Sequence, residues 1–222
     1  MKQLLITLLT LTIFVSCNFN PPKTTQSFKR ILPDTSKTHK PNWFYDETSN
    51  LTEELNFTRF DNGVDSFAIL IWVSGIFVPS NVISIHYSNN HWFTTNTYYW
   101  TSFPEVGEKD YHGGVNMESL TKLIIGSAQT FRIKTSIPFS RIIYTIEQFN
   151  ILNIPTQEEI PNFKDRVADG FSYVIEIATK DYYKTISYQC PDIYKDEINN
   201  KKVTEFLDFI SKNLTEIMMC RS

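Results

Sequence analysis

Few residues in this chain have the types and spacing that chemistry requires. The sequence holds three cysteines, Cys17, Cys190 and Cys220, and four histidines, His39, His86, His91 and His112. Imidazole and carboxylate groups are common zinc ligands, so His86, His91 and His112 together with Asp110 are the set to weigh for a metal. Their arrangement argues against one. His86 and His91 flank a turn rather than share a helical face, and no His-Glu-x-x-His pattern occurs. Serine chemistry has no better footing, since there is no Gly-x-Ser-x-Gly elbow and no Ser-x-x-Lys placed to open a helix. With only 7 glycines, a glycine-rich phosphate cradle is not expected either. The expectation is therefore no metal, no cofactor and no assigned catalytic residue.

Two further candidates remain. Glu176 interrupts the apolar run Tyr173-Val174-Ile175-Glu176-Ile177. In a strand it shares a face with Val174, and across a hairpin it comes near Lys184 or a tyrosine hydroxyl. A buried acid with histidine or tyrosine neighbours would suit a hydrolase. A carboxylate facing solvent, or bonded to a tyrosine, would be structural, and that reading is preferred because glycosidase-like work needs a second carboxylate at a set distance. The other candidate is the stretch His91-Trp92-Phe93-Thr94-Thr95-Asn96-Thr97-Tyr98-Tyr99-Trp100. In an extended chain Trp92, Tyr98 and Trp100 share one face, a platform on which a sugar ring or a peptide could stack. Phe93 and Tyr99 lie on the other face, so one set must be core. Trp92, Tyr98 and Trp100 are the candidate ligand-binding residues, for a glycan or a protein.

The elements that would position these groups follow from periodicity. Phe67 to Val73 is an unbroken apolar run that reads as a strand buried on both faces. Val82 to Ser88 alternates, with Ile83, Ile85 and Tyr87 opposite Ser84, His86 and Ser88, and reads as a half-exposed antiparallel strand. His91 to Phe103 is a third strand, entered through a turn at Ser88-Asn89-Asn90. Residues 104 to 115 read as a loop. Residues 116 to 125 fit a helical stripe through Met117, Leu120, Leu123 and Ile124, although Leu-Ile-Ile suits a strand end equally. Thr130 to Thr135 alternates as a strand. Ser140 can cap a helix with Ile142, Ile143, Ile146 and Phe149 on one side. Pro155 to Asp169 is a polar connection, and Tyr173 to Ile177 pairs with Tyr182 to Tyr188 across Thr179-Lys180-Asp181. Val203, Phe206, Leu207, Ile210, Leu214 and Ile217 recur as an amphipathic helix. The fold expected is α+β, an antiparallel sheet with helices packed against it and a C-terminal amphipathic helix.

The beginning of the chain supplies an address. Lys2 gives a positive start, Leu4 to Val15 is an apolar run of about a dozen residues, and a spanning helix needs roughly 20. Residues 1–16 therefore read as a signal peptide. Phe14-Val15-Ser16-Cys17 resembles the lipobox of bacterial lipoproteins, although Phe14 stands where leucine is commonest. The resemblance implies cleavage before Cys17 and a lipid on its thiol, and two acyl chains suffice for stable anchoring. Membrane, through that lipid, is then the first partner. Residues 17–42 read as a tether rich in Pro, Thr, Ser, Lys and Asn, about 25 to 30 Å in root-mean-square span. Residues 43–222 form a single domain. Asn18 is not the aspartate associated with inner-membrane retention, so the resemblance implies the outer membrane.

Export gives the cysteine count meaning. With Cys17 acylated, Cys190 and Cys220 are an even pair in an oxidising compartment, and a disulfide between them is expected; two buried thiols are the competing reading. A formal net charge of −3 leaves no electrostatic footprint for nucleic acid. The C-terminal part, through Phe149-Asn150-Ile151-Leu152-Asn153-Ile154-Pro155, Asp169-Gly170-Phe171-Ser172-Tyr173 and Tyr188-Gln189-Cys190-Pro191, resembles a group of uncharacterised predicted lipoproteins of Gram-negative bacteria. That resemblance implies a shared fold and brings no activity with it. The expected role is a lipid-anchored envelope protein with a non-catalytic binding domain, and the alternative is an envelope hydrolase built on Glu176.

Overall fold

Stretches rich in β-branched and aromatic residues pair into one antiparallel sheet because such side chains pack well on a pleated surface. The structure, a computed structural model, describes residues 51–57, 64, 66–75, 78–88, 91–102, 124–163, 169–179 and 182–220. Its strands are β1 (Phe67–Gly75), β2 (Ser80–Ser88), β3 (His91–Ser102), β4 (Ile124–Arg132), β5 (Phe171–Thr179) and β6 (Tyr182–Gln189). They lie in the order β4-β3-β2-β1-β5-β6, so β4 and β6 are the edges. Between β4 and β5 come α1 (Phe139–Gln148) and two short 3-10 turns, Ile151–Asn153 and Gln157–Glu159, and after β6 comes α2 (Ile198–Asn213). All described residues belong to one compact unit, Ile31–Ser222. The fold is α+β with an antiparallel sheet, as the periodicity predicts. Among the described residues no helix is long and apolar enough to cross a membrane.

Register decides which side chains meet. Ile69 pairs with Ile85 and Ile177, and Ile71 with Ile83 and Ile175, so the odd positions of the central strands stack on one face. That face carries the main core, joined by Ile142, Ile143 and Ile146 of α1 and by Val203, Phe206, Leu207 and Ile210 of α2. Each such side chain, fully buried, contributes about 1.5–3 kcal/mol. The even positions of these strands, with Tyr99 of β3, make a second apolar cluster of Ala68, Leu70, Trp72, Val82, Tyr99, Val174 and Ala178, covered in part by Leu51, Leu55 and Phe57. β1 is thus buried on both faces, as its unbroken apolar run predicts.

Several expectations are corrected. Val82 to Ile85 is buried on both sides, Ser84 included, because the second cluster reaches β2. Ile124 and Ile125 begin a strand and not the end of a helix; residues 116–123 of that expected helix lie outside the described residues. The strand expected at Thr130 to Thr135 starts earlier and stops at Arg132. Ser140 caps nothing: α1 opens at Phe139 after Pro138, whose ring presets the entry φ at −68°. α2 ends at Asn213, and Ile217 reaches the core from the tail beyond it. The connection after Pro155 contains the buried Gln157. Its amide nitrogen donates to the Gln189 carbonyl while its oxygen accepts from the Gln189 N–H. Thr156 Oγ1 does the same for Ser187. Two side chains therefore stand where a seventh strand would bond to the last residues of β6, which blocks that end of the edge.

The same connection is clamped from the sheet. Tyr182 and Lys184 donate to the carbonyl of Leu152, and Tyr188 to that of Pro155. Tyr173 donates to the Met218 carbonyl in the tail. Burial pushes the Tyr182 phenol up to about 12. Burial, helped by Asp192, raises Tyr173, and burial, helped by Glu197 and Glu159, raises Tyr188. A phenol whose folded pKa lies above its unfolded value near 10 lends its full stability below that pH and loses it as pH rises. We expect stability in urea to fall above pH about 10, with these three tyrosines gaining phenolate absorbance only as the fold melts. Full ionisation of all tyrosines in folded protein near pH 10.5 would contradict the clamps.

Candidate functional site

Glu176 is 5% exposed and lies on the second face of β5, opposite Thr185. A carboxylate in that position needs donors, since burying it unpaired would cost several kcal/mol. Trp72 supplies its indole N–H to Oε1 at 2.6 Å from the neighbouring strand β1. The Tyr183 hydroxyl donates to Oε2 at 3.0 Å, and Thr185 donates in turn to Tyr183 at 2.8 Å. The expected tyrosine partner is present. The expected Lys184 is not: it pairs with Ile177 on the opposite face and donates to the carbonyls of Leu152 and Ile154. Sequence reading missed Trp72, whose side chain reaches Glu176 from a diagonal position two strands away from Thr185. The signal was available in the apolar run of β1, where a tryptophan, which needs an acceptor when buried, has no polar neighbour in sequence.

The three aromatic candidates on β3 are separated by the structure. Trp92, Tyr98 and Trp100 do alternate onto one side of the strand, but the rest of the fold covers only one end of it. Trp92 is half-buried in a stack with Tyr87 and Phe139, because α1 passes over that end of the sheet. In the middle Asn96 is buried, bonded to Asn81 and to Thr215. Beyond it no other described element packs on this face of β3. Tyr98 is partly exposed and meets the ring of Phe131 on β4 edge-on at 6.1 Å, Trp100 is 52% exposed, and Phe131 is 47% exposed. On the other side Phe93 is exposed beneath the Arg132 guanidinium at 5.6 Å. Phe131, absent from the sequence candidates, completes this patch. An uncharged run from Ile124 to Phe131 was its visible sign.

His86 and His91 sit on β2 and β3 at the opposite end from Trp100, and His86 is partly buried, which lowers its pKa. His39, His112 and Asp110 lie outside the described residues, as do Cys17 and the tether. Among the described residues no three His, Cys, Asp or Glu side chains gather as a metal site. Cys190 and Cys220 form a disulfide, with their Cα atoms 5.3 Å apart. It fastens the tail after α2 to the end of β6, beside Phe171, whose N–H points at the Cys220 sulfur. Compared with protein-family models, curated proteins and solved structures, the chain matches none.

Proposed function

We propose that the chain is a lipid-anchored protein of the bacterial envelope, held on the outer membrane through Cys17, whose folded part is a non-catalytic interaction domain. The observation that carries the interaction reading is the β3–β4 end of the sheet, where Trp100 and Phe131 stand about half exposed on one face, with Tyr98 between them along the register. Exposed aromatics grouped on one sheet face favour a glycan or protein ligand. Glu176 supports the same side of the choice, since both carboxylate oxygens are engaged by Trp72 and Tyr183. The leader pattern supports the anchor, and the Cys190–Cys220 bridge suits an oxidising compartment.

Two measurements test it. Labelled palmitate fed to the native host should enter the protein and be lost in Cys17→Ser; label retained in that variant overturns the anchor. A photo-crosslinking phenylalanine analogue in place of Trp100 should give adducts on envelope components, whereas the same analogue in place of Tyr144, 52% exposed on α1, should give none. Equal yields at the two positions, or none at 100, overturn the interaction surface.

A further inference from the structure

The two edges of the sheet are built differently. Along β6 the outward main-chain groups of Ser187 and Gln189 are taken by Thr156 and Gln157. Along β4 residues 126–132 are all exposed. The Ile133 N–H donates to the Thr94 carbonyl, and antiparallel bonds alternate along the register, so Ser127, Gln129 and Phe131 bond inward to β3. The N–H and C=O groups of Ala128, Thr130 and Arg132 point outward, and among the described residues nothing bonds to them. The open stretch begins just after Ile125, whose N–H is held by Glu54 at 2.6 Å. Natural edge strands are commonly blunted by lysine, proline or a covering segment. From Gly126 to Phe131 there is neither lysine nor proline nor any charge.

We propose that β4 pairs antiparallel with β4 of a second copy of this chain, about a two-fold axis at Gln129. The proposal rests on the interaction reading of this end of the sheet and names the partner. The segment Gly126-Ser127-Ala128-Gln129-Thr130-Phe131-Arg132 is self-complementary in that register: its small first half faces its large second half. Ser127 lies opposite Phe131, Gly126 opposite Arg132, and Ala128 opposite Thr130. Arg132, the sole charge, therefore meets a glycine and not its own image, and a two-fold interface of this isologous kind closes on itself. Outward pairs Ala128 with Thr130 each exchange two main-chain bonds. Neighbouring strands lie about 4.8 Å apart. Trp100, beside Ser127 on β3, and Phe131 of the second copy then flank that serine at about 10 Å between backbones, and both rings can lean over the small side chain. The most exposed aromatics of the sheet thereby cover one another.

Light scattering on the full-length protein purified in detergent should give twice the protomer mass. Ala128→Pro removes an outward N–H and leaves every bond to β3 in place, so it should halve the mass with its circular dichroism unchanged. Register is read independently by Gln129→Cys, because the two cysteines would face each other across a non-hydrogen-bonded pair at about 4.5 Å, within disulfide reach. Air oxidation should make the covalent dimer the main band for Gln129→Cys and a minor one for Ala128→Cys. A protomer mass for the unaltered protein, or equal cross-linking by the two cysteine variants, overturns the pairing. If position 100 still crosslinks to another protein in that case, the interaction surface stands without the dimer; if it crosslinks to nothing, both fall.

Discussion

Glu176→Ala is expected to lower the stability of the fold by about 2–6 kcal/mol, because two donors packed around the carboxylate lose their acceptor. The loss has two parts. The Trp72 indole N–H and the Tyr183 hydroxyl both lose their acceptor inside the second cluster, and each orphaned donor costs about 1–3 kcal/mol. The cavity left by the side chain adds to that. Glu176→Gln keeps the volume and one acceptor, so it should cost roughly half as much. Trp72→Phe removes the N–H together with one ring of the indole, and in a double-mutant cycle with Glu176→Ala, where the packing loss common to both backgrounds cancels, it should couple by about 1 kcal/mol or more, since the two groups touch. Urea unfolding followed by tryptophan fluorescence measures all four proteins. A loss below 1 kcal/mol for Glu176→Ala would show that water serves this carboxylate, and would return acid chemistry at Glu176 to consideration.

What the sequence disclosed here follows from which forces are local. The unbroken run in β1 and the apolar run in β5, broken only by Glu176, come directly from apolar burial, and so do the identities of these strands and the α+β class. The limits of β4 were hidden because Gly126, Ser127 and Ala128 carry no period at all; this strand is held by its register with β3 rather than by burial of its own side chains. The start of α1 was misplaced because a serine near a helix start looks like a cap, while Pro138 fixed the entry by φ alone. Ile217 fitted the helical spacing of α2 although the helix ends at Asn213, since a tail folding back onto the core can satisfy the same apolar position. The pairings of Trp72 and Gln157 were invisible for a different reason. Their partners, Glu176 and Gln189, lie 104 and 32 residues away, and pattern within a window says nothing about such pairs. The exposed patch at Trp100 and Phe131 is legible only once it is known where α1 stops covering β3.

Breaking the disulfide should be the other large loss. Cys220→Ser is expected to cost about 3.5 kcal/mol, the chain-entropy value for closing a loop of the observed separation of 30 residues. The bridge also ties down the tail that brings Ile217 into the core and offers the Met218 carbonyl to Tyr173. Hydrogen exchange should therefore quicken at residues 214–220 and at the Phe171 amide, which points at the Cys220 sulfur, before it changes in β1. Reductant added to the unaltered protein should reproduce the shift, and should leave Cys220→Ser unmoved. Backbone strain can be separated from the bridge itself. Cys190 is held at φ 43°, in the left-handed region that residues other than asparagine and glycine seldom occupy; among the described residues the other non-glycine ones there are Asn56, Asn150 and Asn162. In the background of Cys220→Ser, replacing Cys190 by glycine should recover about 1 kcal/mol relative to serine there, because glycine adopts that φ without a Cβ penalty. If glycine and serine at position 190 unfold at the same urea concentration, the left-handed turn is imposed by the bridge and relaxes when the bridge is gone, which would make the disulfide the cause of the chain's sharp exit from β6 and not merely its fastening.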